Sequence, residues 1–297
     1  MKTVISNKYV ISGTFGDAFI AFCKLYKLRG EGFNDNIKLI HLSAHPEVRP
    51  FINKLFNLLD NVVIEEFIFV KSGKEVEEFI NHSKLPSINS LAINNKSVVT
   101  DEIRDPEYLT MEPYPNINIE PRVVNNNFKI GIQLHSGKKG SNFKGFSLSW
   151  LEELLNLTNK NNCEIYLLGT GAGYSINKIN SLCNSLNISN LIGKTDYEDW
   201  LSYIMSMNFF ITGEGFSAFF AMSQKVKSLI FYSDYQIIGR IHPLWKKENI
   251  ILSAGWETFE EKIKNKFCRH FLNRNQLLRP LKPSQVWSLI YTYYLSE

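Results

Sequence analysis

The chain has 297 residues, 44% of them apolar and 21% charged, with a formal net charge of +4 and an isoelectric point near 8.7. That length suits two domains of ordinary size, and the composition is that of a folded globular protein. No apolar run approaches the roughly 20 residues of a membrane-spanning helix, no secretory leader is read at the N-terminus, and a cytoplasmic location is expected, with peripheral contact at an anionic inner membrane face allowed by the mild basicity. The same excess is too small and too scattered for a nucleic-acid partner. Cys23, Cys163, Cys183 and Cys268 have no paired spacing, so reduced thiols are expected and neither a disulfide framework nor a zinc site.

The chain opens on "VISGTFGDAFIAFCKL", an apolar strand that breaks at Gly13 and Gly16 and resumes at helical spacing, with Asp17 at the break. Taken alone, Asp17 is a helix cap. "NIKLIHLSA" predicts a strand and "PEVRPFINKLFNLL" a helix with Pro46 near its first turn. "VVIEEFIFV" predicts a strand and "SGKEVEEFINH" a charged helix. Periodicity fades from Pro106 to Asn127, a stretch rich in Pro and Asn that reads as the interdomain linker.

The second half is more legible. "FKIGIQLHSG" predicts a buried strand running to Gly137, and "LSWLEELLNLTNK" an amphipathic helix with a capping box at Ser149 and Glu152. "EIYLLGTG", "YSINKINSLCNSL", "NLIG" and "DYEDWLSYIMSM" continue strand, helix, strand, helix, with a second box at Thr195 and Glu198. "NFFITGEG", "FSAFFAMSQ" and "VKSLIFYS" extend the alternation, and "PSQVWSLIYTYYL" predicts a terminal helix. The strands are continuous apolar runs, the mark of parallel sheets covered on both faces. The fold class is therefore α/β with two Rossmann-like doubly wound domains: residues 1–125, residues 126–280, and a C-terminal helix within 281–297 packing back on the first domain.

In such domains ligands meet the turns after the strands. The candidate turns are Gly13–Asp17 (with Thr14 and Gly16), His135–Lys144, Gly169–Gly173, Gly193–Thr195, Gly213–Gly215 and Tyr232–Asp234. "LLGTGAGY" imitates a dinucleotide fingerprint, but Tyr174 stands where the last glycine is required. "IGKT" imitates a phosphate loop, but Ile188 stands where its first glycine belongs. Neither an Asp-x-Asp pair nor a metal-spaced His/Cys cluster appears, so no catalytic metal is expected. "HSGKKGSNFKGFSLSW" sets Ser136, Gly137 and the lysines 138, 139 and 144 before a helix start, a composition suited to a diphosphate; on the segment alone a solvated basic loop is the favoured reading. His135 is equally a ligand contact or a satisfied strand-end histidine. Glu214 lies between two glycines at a helix start, where it either answers the helix dipole or accepts hydroxyls of a sugar or ribose.

In order and spacing these segments resemble glycosyltransferase family 9, the heptosyltransferase-like enzymes of GT-B fold. The resemblance rests on "GTFGDAFIAFCKL", "GIQLHSG", "KGFSLSWLEELL", "NLIGKTDYEDWLSYI" and "FFITGEGFSAFFAMSQKVKSLIFYS", and covers best residues 129–233. It implies two domains facing across a cleft and a metal-independent, inverting sugar transfer from a nucleotide-sugar donor, with no further cofactor, to a hydroxyl of a glycan or lipid-linked glycan. Asp17 matches the family's general base and Lys144 the lysine that neutralises the departing diphosphate. Ser136 and Gly137 would contact phosphates, Gly193, Lys194 and Thr195 would lie by the nucleotide base, and Gly213, Glu214 and Gly215 by the donor, with Lys138, Gly169 and Ser217 as further candidates. One departure stands out: the family's Asp-Ser/Thr-Gly-x-x-His turn is replaced by "TGEGFSA", without a histidine. That leaves two alternatives open, a degenerate nucleotide-sugar-binding module and a GT-B nucleotide-sugar epimerase.

Overall fold

The structure, a computed structural model, describes residues 7–88, 111–136, 144–159, 161, 163–170, 174–232, 241–253 and 281–294. By backbone proximity the chain divides into two compact units, Met1–Ile117 with Arg240–Leu244, and Asn118–Gly239 with Trp245–Glu297. Among the described residues, no helix is long and apolar enough to cross a membrane.

The first unit is built on three parallel strands, β1 (Lys8–Ser12), β2 (Ile37–Ser43) and β3 (Val62–Phe69), in the order β1-β2-β3. On the free side of β1 the chain returns at Pro86–Ile88: Ser87 bridges Val10 in parallel, with Val10 N–H bonded to Pro86 C=O and Ile88 N–H to Val10 C=O. The first strand thus sits inside its sheet, and the direction of strand addition reverses beside it. Helix α1 (Phe15–Gly30) follows β1. Its residues from Ala18 to Cys23 are all buried, as expected of a segment apolar on every side, while Lys27 and Arg29 occupy its last turn and Asp17 its first, matching the helix dipole. The Pro46 helix begins as a 3-10 turn (Pro46–Val48) and becomes α2 (Arg49–Phe56) at Arg49. Helix α3 (Gly73–Ser83) is capped by Ser72, whose hydroxyl accepts the Glu75 N–H.

The second unit holds six parallel strands: β4 (Lys129–Gln133), β7 (Glu164–Leu168), β8 (Ser189–Asn190), β9 (Phe209–Gly213), β10 (Lys227–Tyr232) and β11 (Ile250–Ser253). Their order, β11-β10-β9-β4-β7-β8, again puts the first strand in the middle. Strand addition runs outward from β4 through β7 to β8, then jumps back to β9 and continues to β11, so the switch lies between β4 and β9. Every residue of β4 and β9 is buried, which accounts for the apolar centres of both strands, with Lys129, Gln133 and Thr212 the polar exceptions. Helices α4 (Leu148–Asn159), α5 (Ile176–Leu186), α6 (Tyr197–Met205), α7 (Phe216–Ser223) and α8 (Pro243–Glu248) fill the connections.

Four sequence expectations are corrected here. The strand "FKIGIQLHSG" ends at Gln133; His135–Ser136 (β5) then pairs antiparallel with Lys144–Gly145 (β6), forming the base of a hairpin. The cap of α4 is Ser147, whose hydroxyl accepts the Trp150 N–H at 3.2 Å, because the helix already begins at Leu148 and leaves Ser149 inside it. The cap of α6 is Asp196 and not Thr195, its carboxylate accepting the Asp199 N–H at 2.9 Å. Finally, helix α9 (Pro283–Tyr294), expected on the first domain, packs on α4 of the second unit: Val286 and Ile290 are fully buried in the same core as Leu151 and Leu155, and the Trp150 indole N–H donates to Leu281 C=O at 2.7 Å. An apolar stripe is satisfied by any apolar face, and sequence alone does not say which.

Candidate functional site

The Gly13–Asp17 turn lies at the carboxyl end of β1, beside the reversal in strand order. Thr14, in extended conformation, is the N-cap of α1 and Asp17 its third helical residue. The Asp17 carboxylate reaches back so that Oδ2 accepts the Thr14 N–H at 2.9 Å. This places the carboxylate over Gly13, where a Cβ would stand 2.1 Å from Oδ2; Gly13 also has φ +100°, a conformation open to glycine alone at little cost. The turn is pinned from β2, with the Gly13 N–H donating to Leu42 C=O at 3.0 Å and His41 Nε2 lying 3.1 Å from Gly13 O. Asp17 is half-buried and Thr14 exposed, so the carboxylate is held by its own helix start yet open to solvent; Gly16 is half-buried beside it.

In the second unit, candidate residues gather at the carboxyl edge of the six-stranded sheet. Above β4, Ser136 and Lys144 are register partners in the β5–β6 hairpin, and β5 lies beside β9. Gly137, Lys138 and Lys139 lie outside the described residues, and for His135, Ser136 and Lys144 the backbone is described. The hairpin's base is tied by the Phe146 N–H donating to Leu134 C=O at 3.1 Å and by the Tyr174 hydroxyl, 2.8 Å from both the Leu134 and Phe146 carbonyl oxygens, which share its proton. Burial pushes the Tyr174 phenol up, so it remains a donor. Tyr174 is the residue that sequence reasoning passed over. Its signal was its position: it occupies the place where a dinucleotide fingerprint demands glycine, and the structure gives that place an anchor instead.

Beyond β7 and β8, the Gly193 N–H donates to Gly169 C=O at 2.8 Å, joining two candidate turns that are far apart in sequence. Lys194 is exposed, with its N–H closing a turn onto Leu191 C=O, and Thr195 is half-buried just ahead of the Asp196 cap. Gly171 and Gly173 fall outside the described residues, as does Asp234.

Beyond β9, Gly213 ends the strand, Glu214 is only 5% exposed, and its N–H donates to Phe231 C=O at 3.0 Å, extending the ladder with β10. Gly215, at φ +148° and ψ −169°, is the N-cap of α7. Ser217 is directed inward: it is buried, and its Oγ is 3.3 Å from Thr212 Oγ1, whose hydroxyl donates to Gly213 C=O at 3.0 Å. Phe216 packs between Trp200 (ring centroids 5.6 Å apart) and Phe220 (6.0 Å). Tyr232 is wholly buried at the end of β10. Among the described residues, no three His, Cys, Asp or Glu side chains cluster closely enough to hold a metal ion. The arrangement can do two things chemically. The first unit offers a preoriented carboxylate, and the second offers backbone amides, glycine turns and a hairpin at a doubly wound switch point, the place where such sheets receive phosphorylated ligands.

No protein-family model and no curated protein sequence matches the chain. Solved structures do. The glycosyl transferase family 9 protein of Veillonella parvula DSM 2008 superposes with a TM-score of 0.58 at 12% identity, over 98% of this chain and all of that one. E. coli ADP-heptose LPS heptosyltransferase II gives 0.57 at 12% identity, over 97% and 98%. E. coli heptosyltransferase WaaC, solved with ADP-2-deoxy-2-fluoro heptose, gives 0.51 at 11% identity, over 89% and 99%. At such identities the likeness is one of fold, and it spans both units: the chain has the two-Rossmann GT-B fold of the family 9 glycosyltransferases.

Proposed function

We propose that the chain is a metal-independent, inverting glycosyltransferase that moves a sugar from a nucleoside diphosphate donor to a hydroxyl acceptor on a glycan or lipid-linked glycan. The observation that carries this reading is the Asp17 carboxylate, fixed by the Thr14 N–H at 2.9 Å at the switch point of the first sheet, in a chain whose fold matches sugar transferases end to end. In the reaction the acceptor oxygen bonds to the anomeric carbon as the bond from that carbon to the diphosphate breaks. Asp17 takes the acceptor's proton, and the diphosphate leaves with the bonding electron pair. The Lys144 ammonium and the backbone amides of the Ser136 hairpin offset the charge that builds on it. Gly193, Lys194 and Thr195 face the nucleotide, Gly213, Glu214 and Gly215 the donor sugar. The likeness to heptosyltransferases, one of them solved with an ADP-sugar analogue, supports a nucleotide-sugar partner.

The test is Asp17→Asn. A positioned base contributes roughly 10²–10⁴-fold, so transfer is expected to fall by that factor while stabilisation by the bound donor is kept. Wild-type turnover in Asp17→Asn overturns the assignment. The binding-module reading has its own observation, the buried Glu214 in "TGEGFSA". It prevails if the wild-type chain binds nucleotide sugars and transfers none across a panel of donors and acceptors.

A further inference from the structure

We propose that His41 is a positioning residue for Asp17, acting through the Gly13–Thr14 peptide; as a statement about catalysis, this rests on the reading of Asp17 as the base. His41 lies on β2 in register with Ile11 of β1 and is completely buried. Its Nε2 is 3.1 Å from Gly13 O. A carbonyl only accepts, so Nε2 carries the proton, and the imidazole is the neutral Nε2–H tautomer. Burial keeps it so, drawing the ring down to about 4.

The same peptide unit whose oxygen accepts from His41 has its nitrogen in Thr14, and that N–H donates to Asp17 Oδ2 at 2.9 Å. A peptide is planar, with C=O and N–H pointing in opposite directions. Orienting one end therefore orients the other. The chain runs from His41 Nε2–H to the Gly13 carbonyl, through the plane, and from Thr14 N–H to the carboxylate; each bond polarises the next. The preceding peptide is fixed as well, by the Gly13 N–H on Leu42 C=O at 3.0 Å. Two neighbouring residues of β2 thus hold Gly13 from both sides, and the carboxylate lies against it so closely that no Cβ fits.

The choice of residue supports a purpose beyond packing. At a fully buried site against the Phe67 ring, centroids 5.1 Å apart, an aliphatic side chain would pack without a polar penalty. Histidine instead leaves Nδ1 buried with no hydrogen-bond partner among the described residues. An orphaned acceptor of this kind is destabilising. The bond made by the ring's other nitrogen is what the position retains in exchange.

The experiment uses the full chain with His41→Leu and His41→Phe, which remove the donor, and His41→Gln, whose amide nitrogen reaches the place of Nε2 and still donates. Two readouts are followed beside thermal unfolding: the Thr14 amide proton by NMR, identified by its displacement in Asp17→Asn, and kcat and KM for the nucleotide-sugar donor. In the donorless variants the Thr14 amide is expected to shift upfield and exchange faster. Their kcat is expected to fall on the order of 10-fold with donor KM held within about twofold, since misorientation of a base acts on the chemical step. His41→Gln is expected to recover most of both. A folded donorless variant with unchanged Thr14 amide and kcat overturns the proposal, as does a His41→Gln protein no better than His41→Leu. The amide readout needs no turnover. A moving amide in a chain without transferase activity sinks the functional reading and leaves the coupling standing, whereas an active chain with an unmoved amide sinks the coupling alone.

Discussion

The two acid-bearing turns, Gly13–Asp17 and Gly213–Gly215, look alike in sequence: a strand, glycines around a carboxylate, then an apolar helix. The structure secures them by different means. The first is held by hydrogen bonds, from Thr14 to Asp17, from Gly13 to Leu42 and from His41 to Gly13, and its acid is half-exposed at the third position of α1. The second is tied to its own sheet, by the Glu214 N–H on Phe231 C=O and the Thr212 hydroxyl on Gly213 C=O, and is covered by packing: Glu214 is buried ahead of the helix, and Phe216 is wedged between Trp200 and Phe220. A carboxylate open to solvent and oriented by a peptide N–H is equipped to exchange a proton. One buried before a helix start is equipped to hold a fixed charge or accept fixed hydroxyls. Equal motifs thus carry unequal chemistry, and the difference lies in what surrounds them.

Glycine-to-alanine changes separate the two. Gly13→Ala meets two penalties, a φ of +100° and a Cβ that would stand 2.1 Å from Asp17 Oδ2, so the carboxylate must leave its seat. We predict a stability loss of about 1–3 kcal/mol from the backbone strain, together with a fall in kcat on the order of 100-fold as the base is displaced. Gly215→Ala meets strain of the same kind at φ +148° and ψ −169°. It leaves Asp17 in place, so its effect should appear in donor KM with kcat nearly kept. Denaturant titration and steady-state kinetics on both variants check this; the same kinetic signature from each would erase the distinction.

Much of this was legible in the sequence, for a reason that also marks its limit. Buried strands such as "KIGIQ" and "FFITG" carry apolar residues at their centres on both faces, so the existence and order of the main strands could be read, and the candidate turns followed as the places where those runs stop. Contacts made by backbone geometry were invisible. Nothing in "GTGAGY" says that the Tyr174 hydroxyl will bridge Leu134 and Phe146, or in "KLIHLS" that His41 will reach Gly13. Caps were misplaced by one or two residues for the same reason: Ser147 and Ser149, or Thr195 and Asp196, are equally good capping types, and the first helical φ/ψ decides between them.

The Gly13–Asp17 turn, held by His41, should also be the acid-sensitive one. The His41 ring titrates near 4 in the folded chain, drawn down by burial and only partly offset by its bond to Gly13, against 6.5 when exposed. Between those values the unfolded chain binds more protons than the folded one, so stability falls as the pH drops. The contribution is complete above about pH 6.5 and lost progressively toward pH 4, amounting to about 3 kcal/mol. Urea unfolding at pH 7.5, 6 and 5 reads it, and His41→Gln should flatten the slope in that window. An unchanged slope in His41→Gln means that another group carries the acid sensitivity.

The smallest effect tests the packed turn through its neighbour. Helix α6 starts at the Asp196 cap, and its Trp200, one turn on, lies against Phe216 at the start of α7. Asp196→Ala removes the acceptor of the Asp199 N–H, for which about 1 kcal/mol is expected. Thr195→Ala removes a side chain that does not cap α6 and should be near neutral in unfolding stability. If the second turn depends on packing, loosening the first turn of α6 lets Trp200 shift and weakens donor binding a few-fold at most, while Thr14 and Asp17 in the other unit keep their NMR signals. If instead Thr195→Ala is the costlier change, the cap lies where the sequence pattern alone puts it, and the packing support assigned to Gly215 loses its anchor.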